Sequence, residues 1–409
     1  MLPDTWFFNP TCESAIANGS PYYTAPAKLR QFEQDMGYLP GWLAGDKDHV
    51  LVRGKVDPSF SLKMRNLGFI LPDFINLDQA LSDPEWMSRP KGRIQPWGWS
   101  PALCRMFKNS MQAYRDDFQH SVVATWLPVH KMMYSRLTAI DLLEKLMDRH
   151  SFSWMPPRSD LPVVCNNLDL VYNEIARHSR SVVKTPWSSS GRGLLLFPNV
   201  DSKKKNDELL SGMLNQQGFV SVETWLDKVM DLSFQFYSSD GKISYKGRTI
   251  FETDRKGRYV RNFLEENVDV PGNVSAILEK HTAKVVDLLA DALSQSDYAR
   301  LYEGWIGVDA LIYRSETGEL KFHPMIEING RFTMGAISLK MREYLAPGSK
   351  GFLQVYYSKS SNFHTFCREQ EAAKPLIMKD HRVESGFLPL TPPLEEHHFG
   401  AYIEAKKSL

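Results

Sequence analysis

The period of the hydrophobic positions changes several times along the chain, and each change predicts an element. Leu137, Ile140, Leu143, Leu146 and Met147 recur at three- and four-residue steps, which predicts a helix over residues 136–149. A longer amphipathic helix is predicted over 274–294, a further one over 209–216, and another over 169–178 with Asp169 as its N-cap. Short apolar, β-branched runs at 162–165, 181–185, 194–197, 220–223, 231–237 and 242–250 read as strands. Residues 305–313 and 321–329 read as a hairpin bent at 315–318. Nearer the start, 48–53 and 69–71 (before Pro72) read as strands, 102–118 as a helix, and 95–101 as a rigid aromatic turn that packs on a neighbour or lines a cleft. Residues 346–409 show no pattern that predicts a fold.

Composition narrows the class. A chain of 409 residues holds two or three domains. At 43% hydrophobic and 24% charged it has the balance of an ordinary globular protein rather than a disordered one. With 49 Lys+Arg against 48 Asp+Glu, no basic excess points to nucleic acid. No apolar run reaches the 18 residues of a membrane span, and residues 1–20 lack a basic then apolar leader. A cytoplasmic protein with no membrane partner is expected. Cys12, Cys104, Cys165 and Cys367 lie far apart, with no CxxC pair, and are expected to be reduced thiols. His397 and His398, in a Pro/Glu-rich stretch, are expected to be an exposed pair.

The candidate chemistry is spread over three segments. There is no GxxxxGK[ST] loop, and Gly191-Arg192-Gly193 lacks the third glycine of GxGxxG. Instead Lys184 projects from a strand, and the small-residue stretch Ser188-Ser189-Ser190-Gly191 follows; such a loop can close over phosphates, or it is an exposed hairpin turn. In the second segment Asp309 would lie opposite residue 324 or 325, with Glu327 about one pleat further on and Asn329 on the face of Glu327. Two carboxylates and an amide oxygen form a hard-oxygen set suited to Mg²⁺ carrying nucleotide phosphates. The alternative is an exposed acidic strand face. The third segment, Glu223-Thr224-Trp225-Leu226, is a strand exit whose backbone could read an adenine edge. Ser244, Lys246 and Arg248 alternate on one face of a predicted strand, so Lys246 and Arg248 could hold an anionic substrate, or form a solvated basic face. His323 shares the parity of Glu327 and Asn329 and lines the same cleft or is structural.

From about residue 135 to 341 this order of parts resembles the ATP-grasp superfamily. The resemblance implies an α/β chain with an ATP-grasp fold, two α+β subdomains gripping ATP, preceded by an α/β pre-ATP-grasp domain. The corresponding division is 1–125, 126–345 and a C-terminal extension 346–409. It implies that Arg136 stands where the family's first nucleotide-binding basic residue, usually Lys, is found. Lys184 matches the second basic residue, Ser188, Ser189, Ser190 and Gly191 the phosphate-covering loop, and Glu223, Thr224, Trp225 and Leu226 the adenine linker. Asp231 stands at the ribose position in place of the more usual Glu. Asp309, Glu327 and Asn329 match the magnesium ligands, and Arg331 the arginine that follows them. The implied activity is an ADP-forming ligase using ATP and two Mg²⁺ ions. It would join a carboxylate to an amine, each a small molecule or peptide, through an acyl phosphate, with Lys184 and Arg331 in catalytic roles. Two other readings stay open: a nucleotide-binding protein without turnover, and a phosphotransferase such as a dikinase.

Overall fold

The computed structural model describes residues 2–188, 193–198, 206–266 and 268–407. The chain forms two compact units. The first contains residues 1–126, 260–268 and 331–409, and the second 127–259 and 269–330.

The first unit begins with a parallel sheet of β1 (Thr5–Phe7), β2 (His49–Val52), β3 (Asp73–Asn76) and β4 (Ile94–Pro96), in the order β3-β2-β1-β4. Val50, Leu51 and Val52 are fully buried, as a strand covered on both faces requires. The strand expected at 69–71 starts instead at Asp73. Phe69 and Leu71 are core residues outside it, and the ladder begins only after Pro72, which has no N–H to give. The helix expected over 102–118 is broken into Pro101–Phe107, a 3₁₀ stretch Lys108–Ala113 and Asp116–Gln119. The aromatic turn after β4 packs inward. Trp97 meets Phe8 edge-on at 4.8 Å, and its carbonyl accepts the Phe332 N–H at 2.9 Å.

The second unit opens with the helix Arg136–Arg149 and a small antiparallel sheet. Its strands are β5 (Val163–Cys165), β6 (Ser181–Lys184), β7 (Leu194–Phe197) and β8 (Val220–Thr224), in the order β5-β8-β6-β7. The helix behind it runs Leu168–Ile175 and is capped by Asn167, whose side chain accepts the Leu170 N–H at 2.9 Å, and not by Asp169. β9 (Asp227–Ser239) and β10 (Lys242–Thr253) follow as a long antiparallel pair. The chain crosses briefly into the first unit through β11 (Tyr259–Phe263). It returns for the helix Gly272–Ser294 and the hairpin of β12 (Gly304–Arg314) and β13 (Leu320–Asn329), giving the order β13-β12-β9-β10. Leu232, Phe234, Phe236, Ile306, Val308 and Ile312 form the buried apolar face of that sheet.

Residues 331–409, unreadable from the sequence, complete the first unit. β14 (Ser349–Tyr357), β15 (Ile377–Lys379), β16 (Arg382–Pro389) and β17 (Phe399–Lys407) form an antiparallel run β11-β14-β17-β16-β15, against which the helix Phe363–Ala373 packs. This segment is stitched to the first 126 residues. Trp42 Nε1 donates to Leu390 O at 2.7 Å, and the buried Asp35 carboxylate accepts the N–H groups of His398 and Phe399 at 2.9 and 3.0 Å. His397, expected to be exposed, is 5% accessible and hydrogen-bonded to Pro392 O at 2.9 Å. The polar composition of its stretch reflects a turn whose backbone is satisfied by a buried acid. All four cysteines are free. Burial pushes the Cys12 thiol up to about 12 and Cys104 and Cys165 up to about 11, so none is poised as a nucleophile. Among the described residues no helix is long and apolar enough to cross a membrane.

Candidate functional site

The site is built on the polar face of the second unit's larger sheet. Asp309 on β12 faces Glu327 on β13 directly, and Gly307 faces Asn329. A regular ladder continued from Leu311↔His323 would have put residue 325 opposite Asp309. The register shifts between Asp309 and Leu311, so that Pro324, Met325 and Ile326 all lie within the span opposite Ala310. Proline cannot donate to a ladder and is tolerated on an edge strand or at a bulge; β13 is such an edge in its unit. The irregularity brings Glu327 one pleat closer to Asp309 than the hairpin arithmetic expects and sets the two carboxylates side by side.

Neighbouring strands complete the cluster. Ser233 on β9 lies opposite Asp309 and donates its hydroxyl to Oδ1 at 2.7 Å; Asn329 donates its amide to Oδ2 at 3.2 Å. Gln235 in turn donates to Ser233 Oγ at 2.8 Å. Ser233 and Gln235 were missed by the sequence reading. Their signal was present as an alternation, Asp231, Ser233 and Gln235 against Leu232, Phe234 and Phe236, which places three polar side chains on the face opposite the core.

Arg136 reaches this cluster from the start of its helix. Ser135 caps that helix by accepting the Leu137 N–H at 3.2 Å. The Arg136 guanidinium is 9% exposed. Its Nη2 lies 3.1 Å from Glu327 Oε1, and it donates to Thr185 O at 3.0 Å and Ser188 Oγ at 3.2 Å. The same arginine therefore ties one of the acidic pair to the start of the small-residue loop. Lys184 ends β6, and its Nζ donates to Glu223 Oε2 on β8 at 2.7 Å. The two are diagonal neighbours on one sheet face, since Lys184 pairs with Ser221 and Val182 with Glu223. His323 is 4% exposed with no partner for Nδ1; burial, and then the Lys184 charge, hold its pKa down near about 3.

The linker residues Thr224, Trp225 and Leu226 border a cavity of about 1000 Å³ that also takes in His178, Arg180 and Tyr313, but not Lys184, Asp309 or Glu327. Thr224 Oγ1 lies 3.0 Å from His178 Nδ1. Asp231, at the start of the polar alternation, is buried. Burial raises its pKa, while Lys228 at 2.5 Å and the Thr253 hydroxyl at 2.9 Å oppose the rise.

Two expectations need correcting. Lys246 and Arg248 do not share a strand face. A bulge between Tyr245 and Gly247 shifts the register, so that Ser244 lies opposite Tyr237 and Arg248 opposite Phe234. Arg248 is buried against the helix Gly272–Ser294, donating to Thr282 Oγ1 at 3.2 Å, while Lys246 is exposed. Arg248 therefore leaves the candidate set. Arg331 belongs to the first unit, where its Nε donates to Glu13 Oε1 at 2.6 Å. Glu13 had no sequence signal. Ser189, Ser190 and Gly191 lie outside the described residues; Ser188 is described and accepts from Arg136.

The donor set fits a hard divalent cation by chemistry: two carboxylates and an amide on facing strands. Among the described residues no group of three His, Cys, Asp or Glu side chains gathers as a ligand cluster, so the amide would be an essential third donor.

No protein-family model matches the chain, and no curated protein matches it. Solved structures do. A biotin carboxylase from Campylobacter jejuni, solved as a β,γ-ATP complex, is 11% identical over 100% of this chain and 88% of its own, with a TM-score of 0.56. The biotin carboxylase domain of Hydrogenobacter thermophilus 2-oxoglutarate carboxylase, solved with MgADP and bicarbonate, is 10% identical over 99% and 86%, with a TM-score of 0.51. N5-carboxyaminoimidazole synthetase from Staphylococcus aureus, in complex with ADP, is 11% identical over 98% and 92%, with a TM-score of 0.50. At these identities the likeness is one of fold: the chain shares the α/β architecture of these carboxylase and synthetase structures.

Proposed function

We propose that the protein is an ATP-dependent ligase that activates a carboxylate as an acyl phosphate and joins it to an amine, releasing ADP. The observation that carries this reading is the direct opposition of Asp309 and Glu327, with Asn329 beside them and Arg136 and Lys184 supplied from neighbouring elements of the same unit. It is supported by the fold, whose solved examples include proteins crystallised with ADP or with MgADP.

In this reading Asp309, Glu327 and Asn329 hold Mg²⁺, which neutralises phosphate charge when nucleotide is bound. Lys184 and Arg136 bind phosphate oxygens, and each would exchange its present carboxylate partner, Glu223 or Glu327, for the ligand. Ser188, held by Arg136, adds its hydroxyl to the phosphate-binding groups. Glu223 to Leu226 take the adenine edge and Asp231 the ribose. Exposed Lys246 contributes to an anionic substrate's approach. No covalent nucleophile is required, in keeping with thiols held high by burial.

The test is isotopic. With a carboxylate substrate found by an ADP-release screen, ¹⁸O placed in that carboxylate is expected in the released phosphate. Phosphate carrying only solvent oxygen would show that the carboxylate was never phosphorylated.

A further inference from the structure

The first unit contains a cavity that the proposed nucleotide site does not use. Its parallel strands run in the order β3-β2-β1-β4, so the chain builds outward on one side of β1 and then reverses to place β4 on the other. In an open parallel sheet the connections leaving the carboxyl ends on either side of such a reversal part in opposite directions and leave a crevice. A cavity of about 750 Å³ lies there, within the range that holds a small metabolite. Phe7 from the end of β1, Arg53 from the residue after β2, and Ser100 from beyond β4 all line it.

Its charge is one-sided. Arg30, Arg53, Arg105 and Lys108 line it against the single carboxylate of Glu33. That carboxylate is already engaged: Glu33 is 5% exposed, accepts the Thr11 hydroxyl, and lies 3.4 Å from Arg53 Nε. Glu33 and the Phe7 ring, 5.4 Å from the guanidinium, hold Arg53 in place. Burial raises the Glu33 pKa, as expected of a carboxyl withdrawn from water to position a cation. Arg53 Nε is buried without a hydrogen bond. Arg30, Arg105 and Lys108 form no ion pair with any described residue, and Arg105 lies 4.0 Å over the ring of Tyr22, itself on the cavity wall. Over the whole chain 49 cations and 48 acids nearly balance, so the excess here is local. Unneutralised cations around a concavity focus the field there and concentrate anions.

We propose that this cavity binds a small, multiply charged anion, a phosphorylated or polycarboxylic metabolite, with Arg53 as its anchoring cation and Arg105 and Arg30 as outer contacts. The inference concerns the first unit alone and does not require the second unit to bind ATP.

The test is calorimetric titration of the full chain in metal-free buffer with pyrophosphate and, separately, with citrate. At least one of the two is expected to bind, which also tells phosphate chemistry from carboxylate chemistry. Its affinity is expected to fall at least tenfold in Arg53→Gln and severalfold in Arg105→Ala, an exposed position where truncation leaves folding intact. It is expected to persist in Lys184→Ala, which is altered only in the second unit. If neither anion binds, if binding survives both arginine substitutions, or if it disappears only in Lys184→Ala, the cavity is not an anion site. ATP affinity measured on the same variants separates this outcome from a failure of the ligase reading, because Arg53→Gln is expected to leave it unchanged.

Discussion

Two side chains of the second unit give residue-scale expectations. Lys184→Ala removes a charged hydrogen-bond donor from the proposed phosphate site, and ATP affinity measured by calorimetry is expected to fall by about tenfold or more, since such a bond is worth roughly 1.5–3 kcal/mol. His323 gives a stability signature instead. Its folded pKa is held near about 3, while in the unfolded chain it returns to the ordinary histidine range. As pH falls below about 6.5 the unfolded state takes up the proton first, so the histidine's contribution to stability is intact at neutral pH and is lost progressively down to pH about 3, at no more than about 1.4 kcal/mol per unit. Urea unfolding across that window should show a shallower pH dependence in His323→Gln than in the parent; parallel curves would place the proton elsewhere. At this scale Lys184, Asp309, Glu327 and Asn329 were legible because strand parity alone assigns them a side. Glu13 and the burial of His397 were not, because each depends on a partner, Arg331 or the Asp35 loop, more than 300 positions away.

Local irregularity decides at the element scale what pattern reading cannot. The strands β9, β10, β12 and β13 and the helix Arg136–Arg149 were predicted in place from their periods. The two bulges were not, and each changed a functional assignment: one brought Glu327 opposite Asp309, the other turned Arg248 away from Lys246. Gly247, with φ of 149°, adopts backbone that side-chain-bearing residues avoid, and Pro324 marks the other bulge, yet neither residue states by itself where the register slips. The helix that presents Arg136 depends on its cap. Ser135→Ala removes the hydroxyl that accepts from Leu137 N and is expected to lower stability by about 1 kcal/mol in urea unfolding. It should also weaken ATP binding, because Arg136 is the first helical residue and loses its fixed position. Loss of stability with unchanged ATP affinity would separate the cap from the site.

Over the whole molecule, the division expected from the sequence ended a nucleotide domain at residue 345 and left 346–409 as an extension. In the structure residues 331–409 share a unit with residues 1–126. A chain ending at 345 would leave Asp35, which is fully buried, without two N–H partners, Trp42 Nε1 without its acceptor, and β11 without the strand it pairs with. Such a chain is expected to bind a hydrophobic dye and to lose its near-ultraviolet circular dichroism from the first unit's tryptophans; retention of a native spectrum would show the tail to be dispensable. The tail was unreadable because its strands are partly exposed on one face and take their order from partners distant in sequence.

The three-segment construction of the first unit has a bearing on synthesis. A ribosome delivers β1 to β4 first, yet the residues that satisfy Asp35 and Trp42 come last. The second unit is complete once residue 330 has emerged. At ~5–20 residues per second the remaining stretch takes on the order of ten seconds, during which the apolar interior of the first unit is open to chaperones and to neighbouring nascent chains. Slow codons placed before β14 to β17 would lengthen that interval, so the yield of native protein should depend on translation speed over the segment encoding residues 331–407 more than over the one encoding β9 to β13.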